Sequence, residues 1–307
     1  ESTPVRIGSG SSWSTASAGI MHSLAIKNDG TLWAWGWNGY GQLGTGYHKS
    51  SKSPILSGAS FGWSQISAGG FHSMALSSSG NLWACGYNAY GQLGDGTLEN
   101  RNVMIRIGNK LEWAAVSAGE YHTLAVKRNG TLWAWGLNSS GQLGNGTYID
   151  SAVPVQVIVV NDSNNDWQAV SAGSTHNLAI KKDGSLWAWG GNTYGQLGDG
   201  SNEGSPFPVW IDRSMGWISV SAGVSHSLAL KDDHTLWVWG SNVYGQFGDG
   251  TYDSINVPVP VNYDNDWTLI SAGENYNLGL KAEGYLFAWG SNNKGQLGDG
   301  TTISSNE

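Results

Sequence analysis

The chain has 307 residues, of which only 12% are charged, and its 23 acidic and 15 basic side chains give a net charge of −8. A nucleic-acid surface needs clustered lysine and arginine, and the absence of any such run argues against a nucleic-acid partner. No apolar stretch approaches the roughly 20 residues of a membrane span, so membrane insertion is not expected. The 46 glycines and the single cysteine indicate a turn-rich chain without an internal disulfide.

One phrase recurs along the chain at a fixed interval. The tripeptide Ser-Ala-Gly begins at Ser17, Ser67, Ser117, Ser171, Ser221 and Ser271, in steps of 50 residues with one step of 54. Each copy is followed 24 residues later by Gly-Gln-Leu-Gly, or once by Gly-Gln-Phe-Gly. Self-similarity at this period is the signature of solenoids and propellers. Six copies therefore decide the organisation of the chain.

The second copy contains a Cys85 and a His72 that could, read alone, form a nucleophile and its base. His72 belongs to a column of one histidine per copy, with Tyr276 in the sixth, and a catalytic base is needed only once. Cys85 stands where the other copies carry a tryptophan, so it is predicted to be a buried, inert thiol. One histidine per blade is spread too widely for a metal site. The sequence thus predicts no catalytic residue, no metal, no cofactor and no enzyme.

Each copy contains four runs that favour strands. The first ends in Ser-Ala-Gly, as at 167–173; the second alternates apolar and polar residues, as at 176–181; the third is rich in aromatics, as at 185–190. The fourth precedes the next copy, as at 153–157. Asp-Gly or Asn-Gly joins runs two and three in a tight hairpin, except that His234 replaces the glycine in the fifth copy, where strain is expected.

These runs predict an all-β chain, a six-bladed β-propeller of four-stranded antiparallel blades forming a single domain over residues 1–307. Small residues place Ser-Ala-Gly on the central channel, and the tryptophan columns are expected between blades. An open solenoid is the competing architecture and would need capping repeats. The segment at 4–7 resembles a fourth strand, so we expect the N-terminal strand to complete the last blade and close the ring.

The stretch SAGIMHSLAIKNDGTLWAWGWNGYGQLGTG at 17–46 resembles the regulator of chromosome condensation repeat, and the six copies match it in register. The resemblance implies a propeller, which familiar members build from seven blades, and suggests a bacterial-type member. The founding member is a nucleotide-exchange factor for a small GTPase, acting through an inserted wedge. The only insertion here is four residues around 160–166. A bacterial propeller of this kind inhibits β-lactamases by binding a protein with one face, which is the closer analogy.

Two loops of each copy are expected at one end of the propeller, after Ser-Ala-Gly and after the third strand. Residues that differ between copies cluster there, and the aromatic ones suit binding hot spots. The predicted binding residues are Met21, Trp37, Tyr40, Phe71, Tyr87, Tyr90 and Tyr121. A second interpretation stays open for the recurring tyrosines, which could instead pack on the next blade. An asparagine that never changes, such as Asn38, is interpreted as a turn residue that satisfies backbone groups.

The leading hypothesis is a non-enzymatic binding or scaffold module that holds a protein partner on this loop face. A carbohydrate-binding module and, less favoured, an exchange factor for a small GTPase are the alternatives. Few lysines and arginines together with abundant Ser, Thr, Asn and Gly favour an extracellular or cell-surface location over a cytoplasmic one.

Overall fold

The computed structural model describes every residue except 9–11, 59–61, 110–111, 163–165 and 263. The described residues form 23 strands joined by turns and contain no helix. Accordingly, none of these residues belongs to a helix with the length and hydrophobicity of a membrane span. The strands assemble into six sheets in chain order, one for each sequence repeat, so the predicted six-bladed β-propeller is confirmed.

Blades 1 and 2 consist of β1 Trp13–Ala18, β2 His22–Lys27, β3 Leu32–Gly36 and β4 Ser51–Leu56, then β5 Trp63–Ala68, β6 His72–Ser77, β7 Leu82–Gly86 and β8 Arg101–Ile107. Blades 3 and 4 consist of β9 Trp113–Ala118, β10 His122–Lys127, β11 Leu132–Gly136 and β12 Ser151–Gln156, then β13 Trp167–Ala172, β14 His176–Lys181, β15 Leu186–Gly190 and β16 Ser205–Ile211. Blades 5 and 6 consist of β17 Trp217–Ala222, β18 His226–Lys231, β19 Leu236–Gly240 and β20 Ile255–Pro260, then β21 Trp267–Ala272, β22 Tyr276–Lys281 and β23 Leu286–Gly290.

Within a blade, each strand pairs antiparallel with the next, and the first strand of every blade lines a central channel of about 610 Å³. The Ser-Ala-Gly residues of all six blades border this channel, as the small side chains predicted. The serine also links neighbouring blades. For example, the Ser17 hydroxyl oxygen accepts a hydrogen bond from the Ala68 N–H at 2.9 Å, and the equivalent bond joins Ser67 to Ala118.

The tryptophans pack between blades, as predicted. Five buried clusters each join one blade to the next, and each contains the opening tryptophan of the later blade: Trp63, Trp113, Trp167, Trp217 and Trp267. A second tryptophan crosses the same boundary by a hydrogen bond. The Trp135 indole N–H donates to the Gln92 carbonyl of the preceding blade at 2.9 Å. Burial of large apolar surface between successive sheets therefore holds the blades in order.

The hairpin of blade 5 shows the predicted strain. The other five hairpins have a glycine with a positive φ at this position, such as Gly30 with φ 78°. His234 adopts φ 64°, in the left-handed region that side chains disfavour. Its Nδ1 atom lies 3.0 Å from the Trp267 carbonyl oxygen, so the imidazole contacts the next blade.

The N-terminal strand does not complete the last blade, and this prediction was wrong. Blade 6 is a three-stranded sheet in the described part of the chain. On the side of β23 away from β22, the described partner is Ser305, in an isolated antiparallel bridge with Gly290. Ser305 thus holds the first position of a fourth strand. The Gly300 N–H donates instead to the Ser2 carbonyl oxygen at 2.6 Å, in the way that Gly250 donates to Asn306 in the preceding blade. The N-terminal segment therefore lies one blade-position beyond β23.

The junction between blades 6 and 1 accordingly differs from the other five. Among the described residues, no buried cluster joins these two blades. Leu286 and Phe287 of β23 are 65% and 44% exposed, whereas the equivalent Leu236 in blade 5 is fully buried. Counting residues across the joined ends fixes a connection length, but it cannot say which third strand a fourth-strand segment accompanies.

Candidate functional site

The two variable loops of each blade meet at one end of the propeller, as predicted, and we define this end as the loop face. In blade 1 the Trp37 N–H donates to the Met21 carbonyl oxygen at 2.8 Å, and in blade 2 the Tyr87 N–H donates to Phe71 at 2.9 Å. The same backbone bond recurs in the remaining blades. Residues from the two loops are therefore brought side by side by the main chain.

A buried asparagine holds the longer loop of each blade in shape. In blade 2 the Asn88 amide nitrogen donates to the carbonyl oxygens of Thr97 and Glu99, both at 3.0 Å. Its side-chain oxygen accepts from the Leu93 N–H at 2.9 Å. Two carbonyl groups and one N–H group from three loop positions are thus tied to one side chain, which confirms the interpretation of this column as turn residues and makes the loop rigid.

Six of the seven predicted binding residues form one continuous group of rings, which we call the aromatic patch. It spans blades 1 to 3 and consists of Trp37, Tyr40, Phe71, Tyr87, Tyr90 and Tyr121. Neighbouring ring centroids lie between 4.5 Å, for Tyr40 and Tyr87, and 6.2 Å, for Tyr87 and Tyr90. These distances are those of favourable aromatic pairs. The side chains remain partly accessible, and Trp37 is 36% exposed.

The recurring tyrosine packs on the next blade in some copies and is half-exposed in others. Tyr40 packs on Phe71 of the next blade at 5.9 Å, and Tyr90 packs on Tyr121 at 5.4 Å. The equivalent Tyr194 and Tyr244 are 51% and 47% exposed. Non-recurring aromatics in blades 2 and 3 supply the packing partners, so the patch is a feature of blades 1 to 3 and not of the repeat.

Met21, the seventh predicted residue, lies at the edge of the patch. Its carbonyl oxygen anchors the backbone of Trp37, and its side chain is 55% exposed. An exposed, flexible thioether in the loop that contacts the backbone of Trp37 suits an adaptable contact surface. The structure therefore places Met21 next to the patch without making it part of the ring cluster.

Glu120 is a part of this surface that the sequence analysis did not select. Its carboxylate accepts a hydrogen bond from the Ser174 hydroxyl, and its N–H donates to the Gly173 carbonyl oxygen at 3.2 Å. Partial burial raises the pKa of Tyr121, and the neighbouring Glu120 charge raises this pKa further. Partial burial also raises the pKa of Tyr87, and electrostatic interaction with Tyr90 and Tyr40 raises this pKa further. The sequence signal that could have pointed to Glu120 is its position in a variable loop, between a glycine and Tyr121.

The histidine column is structural, as predicted. His72 is fully buried and its Nε2 atom lies 2.9 Å from the Thr123 hydroxyl of the next blade. That hydroxyl in turn donates to the Gln92 carbonyl oxygen at 2.8 Å. Within the part of the chain that the structure describes, no group of three or more His, Cys, Asp or Glu residues is arranged to hold a metal ion.

Cys85 is buried at the boundary between blades 1 and 2, and burial raises the pKa of its thiol to about 12. Its Sγ atom lies 3.4 Å from the Gln42 carbonyl oxygen, the position that tryptophan Nε1 takes in the copies of blades 3 to 6. Met104, at a position where four other copies have proline, packs against the buried cluster that joins blades 1 and 2, and it approaches Gly44 from beside Cys85. The thiol is thus held protonated and unreactive.

We expect Cys85 to escape a thiol reagent such as DTNB in the native protein at pH 8, because both burial and the raised pKa suppress the thiolate. One equivalent should react promptly after unfolding in guanidinium chloride. Absorbance of the released dye measures this. Rapid reaction in the folded state would contradict the buried assignment.

The fold and the loop face define a repeat-built β-propeller with a rigid, partly apolar surface at one end. The chain belongs to the family of the regulator of chromosome condensation (RCC1) repeat. One model of this repeat matches residues 29–76, 79–126, 129–180, 183–230 and 233–280. A second model of the repeat matches six stretches, from 14–42 to 267–296.

Solved structures show the same fold. Human WBSCR16 is similar with a TM-score of 0.88 and 23% identity, over 100% of this chain and 83% of that protein. Yeast RCC1 (Prp20) in complex with Kap60 is similar with a TM-score of 0.84 and 21% identity, over 96% of this chain and 73% of that one. Prp20p from Saccharomyces cerevisiae gives 0.82 and 21%, over 95% and 75%.

Proposed function

We propose that the chain is a non-enzymatic binding module, folded as a single domain over residues 1–307, that holds a protein partner on the aromatic patch of its loop face. One observation carries the proposal: six partly exposed aromatic side chains from three adjacent blades form a continuous surface. Four of them, Trp37, Tyr40, Tyr87 and Tyr90, lie on loops fixed by buried asparagines. Rigid aromatic side chains supply large contact area at low entropic cost, which is typical of interface hot spots.

Similar propellers support a protein partner as the first candidate. The yeast relative was solved bound to Kap60, and Prp20p is described by its binding to Gsp1p and histones. Those partners belong to those proteins. What we carry over is the class of partner, another protein, and the aromatic patch of this chain is the surface that we propose for it.

The aromatic patch is tested by replacing Trp37, Phe71 and Tyr121 together with alanine. We expect partner capture from the native source to fall by about 30-fold or more, because interface hot spots cost at least 2 kcal/mol each when truncated. The matched control is Tyr194→Ala with Tyr244→Ala, which removes exposed aromatics from the same loop face in blades 4 and 5. The wild-type and variant proteins are immobilised, and quantitative mass spectrometry measures the proteins that each captures.

The proposal fails if the triple variant captures the same proteins in the same amounts while its thermal unfolding matches that of the control. Two further assays address the alternatives. Binding to a glycan array that is lost in the triple variant would assign the patch to a carbohydrate. Accelerated nucleotide release from a small GTPase would replace the binding module with an exchange factor.

A further inference from the structure

The loop face is strongly acidic. Its loops, at 19–21 and 37–50 in blade 1 and the equivalent positions in the other blades, contain only two lysines, Lys49 and Lys294. The same loops contain ten carboxylates: Asp95, Glu99, Glu120, Asp150, Asp199, Glu203, Asp249, Asp253, Glu274 and Asp299. Arg101, which directly follows its loop, pairs with Asp95 and Glu99, so eight of the ten carboxylates are not paired with it. A surface of one dominant sign attracts partners of the opposite sign and steers their approach.

Glu120 brings one of these charges to the aromatic patch. It directly precedes Tyr121, and the Ser174 hydroxyl holds its Oε2 atom. Among the described residues, no lysine or arginine pairs with Glu120 and none lies over a ring of the aromatic patch. The patch therefore combines ring faces and a fixed carboxylate, and no lysine or arginine in the described part of the chain occupies it.

At the opposite end of the propeller, aromatic rings and a carboxylate bind a lysine ammonium group of the same chain. In blade 3 the Lys127 Nζ atom lies 3.9 Å from the Trp133 ring centroid and 5.2 Å from that of Trp113. The same ammonium lies 3.0 Å from the Glu112 carboxylate. Lysines take this position over paired aromatic rings in five of the six blades: Lys27, Lys127, Lys181, Lys231 and Lys281. Two rings and a carboxylate thus hold an ammonium in this fold.

We propose that the aromatic patch, together with Glu120, binds a lysine- or arginine-bearing segment of the protein partner. The cationic side chain lies on the rings of Tyr121, Tyr90 and Tyr87 and pairs with the Glu120 carboxylate. Cation–π attraction and the surrounding carboxylates then both favour a basic segment over a neutral or acidic one. The inference rests on the proposed function and adds to it the chemistry of the partner.

The test uses the full chain and a defined probe, acetylated hexa-arginine amide, titrated by calorimetry in 50 mM salt. Glu120→Gln keeps an acceptor for Ser174 and removes the charge, and we expect it to weaken binding about tenfold. Glu274→Gln is the matched control, because Glu274 has the equivalent position in blade 6 beside Asn275 instead of an aromatic; it should weaken binding less than about twofold. Hexa-citrulline amide, which has the same shape without the charge, should not bind.

Tyr121→Leu provides a second variant, which removes the ring and keeps apolar bulk. This variant should also bind the arginine probe more weakly. Binding to a purely electrostatic surface would not change when the ring is removed. Equal losses in Glu120→Gln and Glu274→Gln, or binding of the citrulline probe as tight as that of the arginine probe, would overturn the inference. If the arginine probe does not bind but the triple alanine variant loses its partner, the proposal of a cationic partner segment is wrong, whereas the proposal of a binding module stands. If that variant keeps its partner, the binding module itself is wrong.

Discussion

Acidification from pH 7 to about 4.5 is expected to unfold the propeller through its buried histidines. Burial lowers the pKa of His22, His122 and His226 to about 4, and that of His72 and His176 to about 3. These values lie well below the 6.5 of a free histidine. In each ring Nε2 contacts the next blade, while Nδ1 is buried without a hydrogen-bond partner among the described residues. A proton would therefore add a buried charge without an acceptor.

The sign of the effect follows from the lowered pKa. Below pH 6.5 the unfolded chain takes up protons that the folded chain cannot bind, so the free energy of unfolding falls as the pH falls. Each histidine changes the free energy of unfolding by about 1.4 kcal/mol per pH unit, and the five together change it by about 7 kcal/mol per pH unit. Because typical domains are stable by only about 5–15 kcal/mol, this stability is expected to be lost between about pH 6 and 4.5.

Urea unfolding at a series of pH values measures this slope. His122→Gln can still donate to the Asn177 side-chain oxygen, which lies 2.6 Å from the histidine Nε2, and should reduce the slope by about one proton. His48→Gln, at an exposed histidine on the loop face, is the control for a histidine substitution outside the buried column. A free energy of unfolding that is flat between pH 7 and 5 would contradict the neutral, buried state of the column.

Structural features that recur in every copy could be predicted from the sequence alone. A residue at a fixed position in each copy has the same environment in each blade, so the tryptophan, histidine and asparagine columns could be assigned to the space between blades or to the loops without coordinates. The ring junction is the exception, because it occurs once. The segment around Pro4 carries the pattern of a fourth strand, and only the contact of Ser2 with Gly300 shows which blade-position it occupies.

The binding surface was predicted in part for the same reason. Non-recurring aromatics such as Phe71 and Tyr121 stood out against the repeat, and the structure brings them together. Whether a recurring tyrosine joins them depends on its neighbour in the next blade: Tyr40 finds Phe71, whereas Tyr194 remains half-exposed. Glu120 escaped selection because its importance comes from Ser174 in the following blade, a contact over 54 positions of sequence that no local pattern reveals.

Replacing Asn88 with alanine is expected to lower the free energy of unfolding by about 3 kcal/mol, since each buried polar group left without a partner costs about 1–3 kcal/mol. The side chain is fully buried and serves the carbonyls of Thr97 and Glu99 and the N–H of Leu93. The loop that it ties also carries Tyr87 and Tyr90, so partner binding should weaken together with stability.

The isosteric change Asn88→Asp separates hydrogen bonding from packing. Aspartate keeps the acceptor for Leu93 but turns an oxygen, and at neutral pH a negative charge, towards the two carbonyl groups. It should therefore destabilise the fold more than alanine at pH 7, although it preserves the volume. Asn293→Ala, at an exposed asparagine beside the equivalent Asn292, should change the unfolding midpoint little. If Asn88→Asp were as stable as the wild type, the buried amide would not be what holds the loop, and the rigidity of the aromatic patch would need another source.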